Sequence, residues 1–144
     1  MIKKINIYLL TFFMIGKIKY APGTFASIFA CILFFLLTYI FSFATILIIL
    51  ISLFLYSFYA INNTFDKFDT EDPQEIVIDE VFGQMLTLLA IPIYETLYPL
   101  PALYYYISAL IFFRLFDIWK PYPINFVDNN VKGAFGIMID DIIA

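Results

Sequence analysis

Between Lys19 and Asp66 the chain runs for 46 residues without a charged side chain. As helix that run is about 69 Å long, more than twice the roughly 30 Å hydrocarbon core of a bilayer. One domain of 144 residues could bury a core in water, but this apolar material is not patterned for one. Only 14% of residues are charged, against about 25% in an ordinary soluble domain, and 63% are hydrophobic. Disorder, a coiled coil and a soluble enzyme are all poor fits to such a chain. The single cysteine, Cys31, lies inside the apolar run, which excludes a disulfide framework. The net charge of −4 comes with no basic patch, so nucleic acid is not an expected partner.

The run divides into two spanning helices, about Phe25–Phe41 and Phe43–Ile61, with Ser42 at the turn. Asp66 to Glu75 reads as an exposed loop. Asp72, Pro73 and Glu75 have the form of a helix start, which predicts a third helix from Pro73 to about Ile91, stopped by Pro92. Tyr94 to Pro101 reads as a short connection. A fourth helix runs from about Ala102 to Trp119 and is ended by Lys120-Pro121-Tyr122-Pro123. Ile5 to Ile15, flanked by lysines and too short to span, reads as a membrane-surface helix rather than a cleaved signal peptide. The expected fold is therefore all-α: an integral membrane bundle of about four spanning helices plus a short N-terminal interfacial helix.

Four crossings would put residues 1–24, 62–75 and 120–144 on one side. All eight Lys and Arg residues fall on or near that side, whereas Glu95 is the one charge on the other. The positive-inside rule makes the charged side cytoplasmic.

Four polar clusters then meet at one membrane face. In Ala21-Pro22-Gly23-Thr24, a turn precedes a helix start. Taken alone, a turn with Thr24 as the cap is the favoured reading over an anion site on free backbone N–H groups. In Ile78-Asp79-Glu80-Val81-Phe82-Gly83-Gln84, two adjacent carboxylates lie in apolar surroundings, and Glu80, Gln84 and Thr87 form one polar stripe. Such groups are costly unless paired, metal-bound or wetted among headgroups. Arg114, Asp117 and Lys120 recur every third residue at the end of the fourth helix, as a functional group or a structural ion pair with a snorkelling lysine. Lastly, Asp128 precedes a glycine-containing segment, Gly133 to Gly136, that leads to Asp140-Asp141 in an apolar frame. Carboxylates from several clusters, with no histidine anywhere, suit a hard cation such as Mg²⁺. The missing histidine excludes a His-nucleophile phosphatase, and Cys31 lacks the arginine of a Cys-x₅-Arg loop.

Together the four clusters resemble the phosphatidylglycerophosphatase A family. The matching segments are Lys19 to Thr24, Ile76 to Gly83, Phe113 to Ile124 and Gly133 to Asp141, in order, over about residues 17–144. The chain departs from the family pattern in having Ala26-Ser27 after Phe25, where Gly-Ser is usual, and Ala134 in place of a second glycine. Relatives usually continue beyond Asp140-Asp141 with a further apolar helix, so residues 1–144 are expected to form a single membrane-embedded phosphatase domain lacking that helix. The resemblance implies a Mg²⁺-dependent enzyme of bacterial cytoplasmic membranes. It would hydrolyse phosphatidylglycerol phosphate to phosphatidylglycerol and phosphate, in phospholipid metabolism. On that footing Asp79, Glu80, Asp117, Asp140 and Asp141 are the expected catalytic carboxylates. Asp79, Glu80, Asp128, Asp140 and Asp141 are the expected metal ligands, while Gly23, Thr24, Arg114 and Lys120 would bind phosphate. The alternatives are a small cation transporter or channel subunit, which would need ionisable groups near mid-membrane, and a non-catalytic assembly factor.

Overall fold

The structure is a computed structural model, and it describes residues 2–64 and 74–144. Among these residues every regular element is helical. The helices are α1 (Ile2–Leu10), α2 (Pro22–Ile40), α3 (Phe43–Thr64), α4 (Ile78–Leu88), α5 (Ile91–Leu97), α6 (Ala102–Trp119), α7 (Ile124–Asn130) and α8 (Gly133–Ile143), with a 3₁₀ turn at Ile15–Lys17. Three of them, α2, α3 and α6, are long and apolar enough to cross a membrane. Their boundaries are close to those expected for the first, second and fourth crossings. The turn at Ser42 also behaves as expected, since the Thr45 N–H donates to Ser42 Oγ at 3.3 Å and caps α3.

The expected third crossing is not one long helix. Its proposed cap, Asp72-Pro73, lies outside the described residues. Regular structure begins at Ile78, breaks after Leu88 and resumes at Ile91 as α5, across part of the stretch read as a connection. Pro92 explains the break: it has no N–H, and its ring excludes the carbonyl four residues back, at Leu88. Within α5, Pro92 occupies the first turn, where neither feature is a penalty. Ile91, Pro92 and Glu95 lie beside Phe34, Thr38 and Tyr39 in the last turns of α2. Together, therefore, α4 and α5 carry the chain from one end of the bundle to the other.

The centre of the molecule is α4, not a spanning helix. Ile78, Val81, Phe82, Gly83, Gln84, Met85 and Leu88 are all buried, which leaves almost no free face. It packs against α2, α3, α6 and α8. Its closest partner is α2, which turns a stripe of small buried residues toward the core: Gly23, Ala26, Ser27 and Ala30. Small side chains let two helix backbones approach closely where apolar surface alone gives little drive. By contrast α6 stays at the periphery, with Phe113 as its one buried residue.

The N-terminal segment forms a short helix, as expected, and Ile2, Ile5 and Tyr8 stay exposed on it. Helix α1 ends at Leu10 and packs along α3, burying Asn6 and Leu10. The Asn6 amide ties it to α3: its Oδ1 accepts the Tyr56 hydroxyl proton at 2.9 Å. The C-terminal segment, read only as a mixture of polar residues and glycines, forms α7 and α8. Gly133, at φ +74°, makes the left-handed turn between them.

Candidate active site

At one end of the bundle a cavity of about 470 Å³ is lined by residues from α2, α4, α6, α7 and α8. Its walls include six carboxylates, Asp79, Glu80, Asp117, Asp128, Asp140 and Asp141, and three cations, Arg114, Lys120 and Lys132. Each of the four clusters read from the sequence contributes to it. They converge because α2 enters the bundle at Pro22, α4 starts at Ile78, α6 ends at Trp119 and α8 ends at Ile143, all at this end.

The acidic groups divide into two sets. In the first, Asp79, Glu80 and Asp141 each present a carboxylate oxygen, and these atoms lie within 4.8 Å of one another. Asp79 and Glu80 occupy the first turn of α4, where the helix dipole favours negative charge. The Glu80 N–H donates to Asp79 Oδ1 at 3.0 Å, fixing the first carboxylate. Glu80 Oε2 is buried with no hydrogen-bond partner among the described residues. Three carboxylates this close repel one another when ionised, and a hard cation with oxygen ligands would relieve both the repulsion and the orphaned oxygen. These residues therefore fit a divalent metal.

In the second set a lysine takes the corresponding place. Lys120 Nζ lies 2.6 Å from Asp128 Oδ1 and 2.8 Å from Asp140 Oδ2. Its left-handed backbone (φ 44°) ends α6 and turns the chain toward α7. Arg114 pairs with Asp117 one turn away, and its Nη1 is 3.9 Å from Glu80 Oε1. The five carboxylates expected to hold metal are thus split: Asp79, Glu80 and Asp141 gather in one place, and Asp128 and Asp140 around Lys120. An ammonium group already neutralises the latter pair.

Burial sets the electrostatics. Asp141 is 5% exposed, and burial first, then the charges of Asp117, Glu80 and Asp140, push its carboxyl well above the usual carboxylate range. Asp140 is also raised by burial, against the opposing pull of Lys120. Burial lowers Lys120, but its hydrogen bonds to Asp128 and Asp140 outweigh that and hold it above the ordinary lysine value. The ammonium therefore stays charged throughout the physiological range.

Gly23 is in the lining, with Ala21 and Pro22, whereas Thr24 is outside it. Nor does Thr24 cap α2: Ala21 is the N-cap and Pro22 the first helical residue, which places Thr24 within the first turn. The stripe seen in the sequence leads inward. Gln84, one turn from Glu80, is fully buried with both amide atoms unpartnered among the described residues, and Thr87 Oγ1 donates to the Gly83 carbonyl. Lys132 was not singled out by its spacing. The available signal was its place immediately before Gly133, which puts it at the N-cap of α8 beside the cavity. It has no carboxylate partner among the described residues.

An acidic, metal-fitting cavity with cations around it, at the end of a membrane bundle, is what comparison with known proteins would have to explain. The model of the family described as Phosphatidylglycerophosphatase A matches residues 8–144. A phosphatidylglycerophosphatase A of Escherichia coli is 34% identical over 134 residues, covering 90% of this chain and 70% of the relative. One from Haemophilus influenzae is 36% identical over 129 residues, covering 90% and 75%. A Bacteroides thetaiotaomicron protein named "Putative phosphatidylinositol-3-phosphatase" is 34% identical over 132 residues, covering 90% and 79%. No solved structure matches. With the match running through all four segments that build the cavity, the chain belongs to the phosphatidylglycerophosphatase A family and is a phosphatase, a phosphoric monoester hydrolase.

Proposed function

We propose that the protein removes the terminal phosphate of phosphatidylglycerol phosphate, yielding phosphatidylglycerol and inorganic phosphate, with Mg²⁺ held by Asp79, Glu80 and Asp141. The observation that carries this reading is the meeting of those three carboxylates in a cavity also lined by Arg114 and Lys120. When bound, the ion supplies neutralisation of phosphoryl charge and a lowered pKa for water. The chain's own groups do the rest. Arg114, Lys120 and Lys132 bind the phosphate oxygens. Asp117 holds the Arg114 guanidinium, and Asp128 with Asp140 hold the Lys120 ammonium. Gly23, lacking a side chain, lets the Glu80 carboxylate pack against the α2 backbone beside Arg114. In the reaction a water oxygen bonds to phosphorus as the bond to the glycerol oxygen breaks, and that oxygen leaves with the electron pair and takes up a proton. The lysine-rich ends support a cavity on the cytoplasmic side of a bacterial inner membrane.

The Bacteroides relative supports a second reading on the same chemistry, a phosphomonoester on an inositol lipid. Both are tested by offering the purified protein phosphatidylglycerol phosphate and phosphatidylinositol 3-phosphate, with and without Mg²⁺, and measuring phosphate. Release from the glycerol lipid that needs Mg²⁺ is expected. Asp79→Asn and Asp141→Asn should each lower it by about a thousandfold. Preference for the inositol lipid would reassign the substrate, and full activity in both variants would sink the metal assignment.

A further inference from the structure

Arg114 lines two cavities. Besides the acidic one, it stands at the head of a shallow groove of about 340 Å³ whose other walls are Ile111, Leu115, Ile118 and Trp119. These positions follow i, i+3, i+4, i+7, i+8 spacing, so they form one continuous face of α6. That face is turned away from the protein: Leu115 is 47% exposed and Ile118 71%. Beside Arg114, then, the acidic cavity meets a purely apolar strip facing the bilayer. Arg114 Nε is buried and has no hydrogen-bond partner among the described residues.

We infer that this groove seats an acyl chain of the substrate lipid, with Arg114 as the junction between chain and headgroup. The inference rests on the lipid-phosphatase reading and deepens it. A phosphorylated lipid needs an anion site and an apolar seat a few ångströms apart, and α6 supplies both on adjoining faces. Arg114 complements the headgroup charge, and the strip continues directly from the site. The strip reaches Trp119, the last residue of the helix and the one tryptophan of the chain. An indole at a helix end sits at the level of the headgroups, which sets the depth at which the lipid is held. The lipid thus enters sideways from the bilayer without leaving it.

The lone Trp119 is a built-in reporter. Phosphatidic acid brominated on its acyl chains, titrated into the wild-type protein in detergent, should quench Trp119 at about a tenfold lower mole fraction than brominated phosphatidylcholine. Arg114→Gln should erase that difference. Equal quenching by both lipids in the wild type would overturn the inference. A second arm uses kinetics. Leu115→Trp, which fills the groove, should lower the ratio of kcat/KM for long-chain over short-chain phosphatidylglycerol phosphate about tenfold, through KM. Leu103→Trp, an exposed residue at the opposite end of α6, should leave the ratio unchanged. An unchanged ratio in Leu115→Trp, or an altered particle size showing that this face binds a second copy, would count against the groove. Failure of the wild type to hydrolyse either lipid, with selective quenching intact, would instead overturn the phosphatase reading and leave the seat standing.

Discussion

The Glu80 carboxylate lies directly against Gly23, so that a Cβ added to Gly23 would overlap Glu80 Oε1. This joins two motifs far apart in sequence, the Pro-Gly-Thr turn and the paired carboxylates of α4. Gly83 is a second close approach: a Cβ there would stand 2.7 Å from both the Asp141 backbone oxygen and the Phe113 ring. The two glycines should respond differently. In Gly23→Ala the end of a side chain can move aside, so metal binding and activity should fall with little change in stability. In Gly83→Ala a backbone carbonyl and a packed ring must move, costing about 1–3 kcal/mol. Thermal unfolding and phosphate release, measured on both variants, check the contrast.

Lys120 holds two acidic partners, one of them Asp140, 8% exposed and with Oδ1 unpartnered among the described residues. Lys120→Met should leave that carboxylate without its counter-charge and destabilise the protein by about 1–3 kcal/mol. Adding Asp140→Asn should recover part of the stability but none of the activity. The double-mutant cycle separates the two roles.

Asp140 and Asp141 keep their protons to higher pH in the folded protein than in the unfolded chain. The folded state therefore binds more protons above the ordinary carboxylate range. Without metal, stability should fall as pH rises from that range through the raised values. Mg²⁺ at about 100 times its Kd should restore about 2.7 kcal/mol at neutral pH, where the carboxylates are free to bind it. Asp141→Asn should flatten the metal-free profile and raise neutral-pH stability by on the order of 1 kcal/mol, while losing the Mg²⁺ response. Melting curves across pH, with and without Mg²⁺, decide the matter.

The hydroxyl of Tyr56 donates to Asn6 Oδ1 at 2.9 Å and ties α1 to α3. Tyr56→Phe should strand a buried amide oxygen and cost about 1–2 kcal/mol. The affected region should be α1, seen as faster proteolysis near the N-terminus. The KM for lipid should not change, because α1 does not line the cavity.

Much was legible in the sequence because membrane constraints act locally. A run of 46 uncharged residues has to become spanning helices, since backbone groups in lipid must bond within their own segment. Ser42, Pro121 and Pro123 mark element ends through their own side chains. The scarce charges stand out against the apolar background, so the four clusters could be found, and their order carried the family resemblance. What one chain position cannot show is which groups face each other. Only the tertiary structure separates Asp79, Glu80 and Asp141 from the pair bridged by Lys120, because Asp140 and Asp141, neighbours in sequence, line one cavity but project about 100° apart around α8 and meet different partners. Only packing makes the short α4 central. Its burial comes from the small-residue face of α2 and from α3, α6 and α8 together, and no local pattern records partners so distant along the chain.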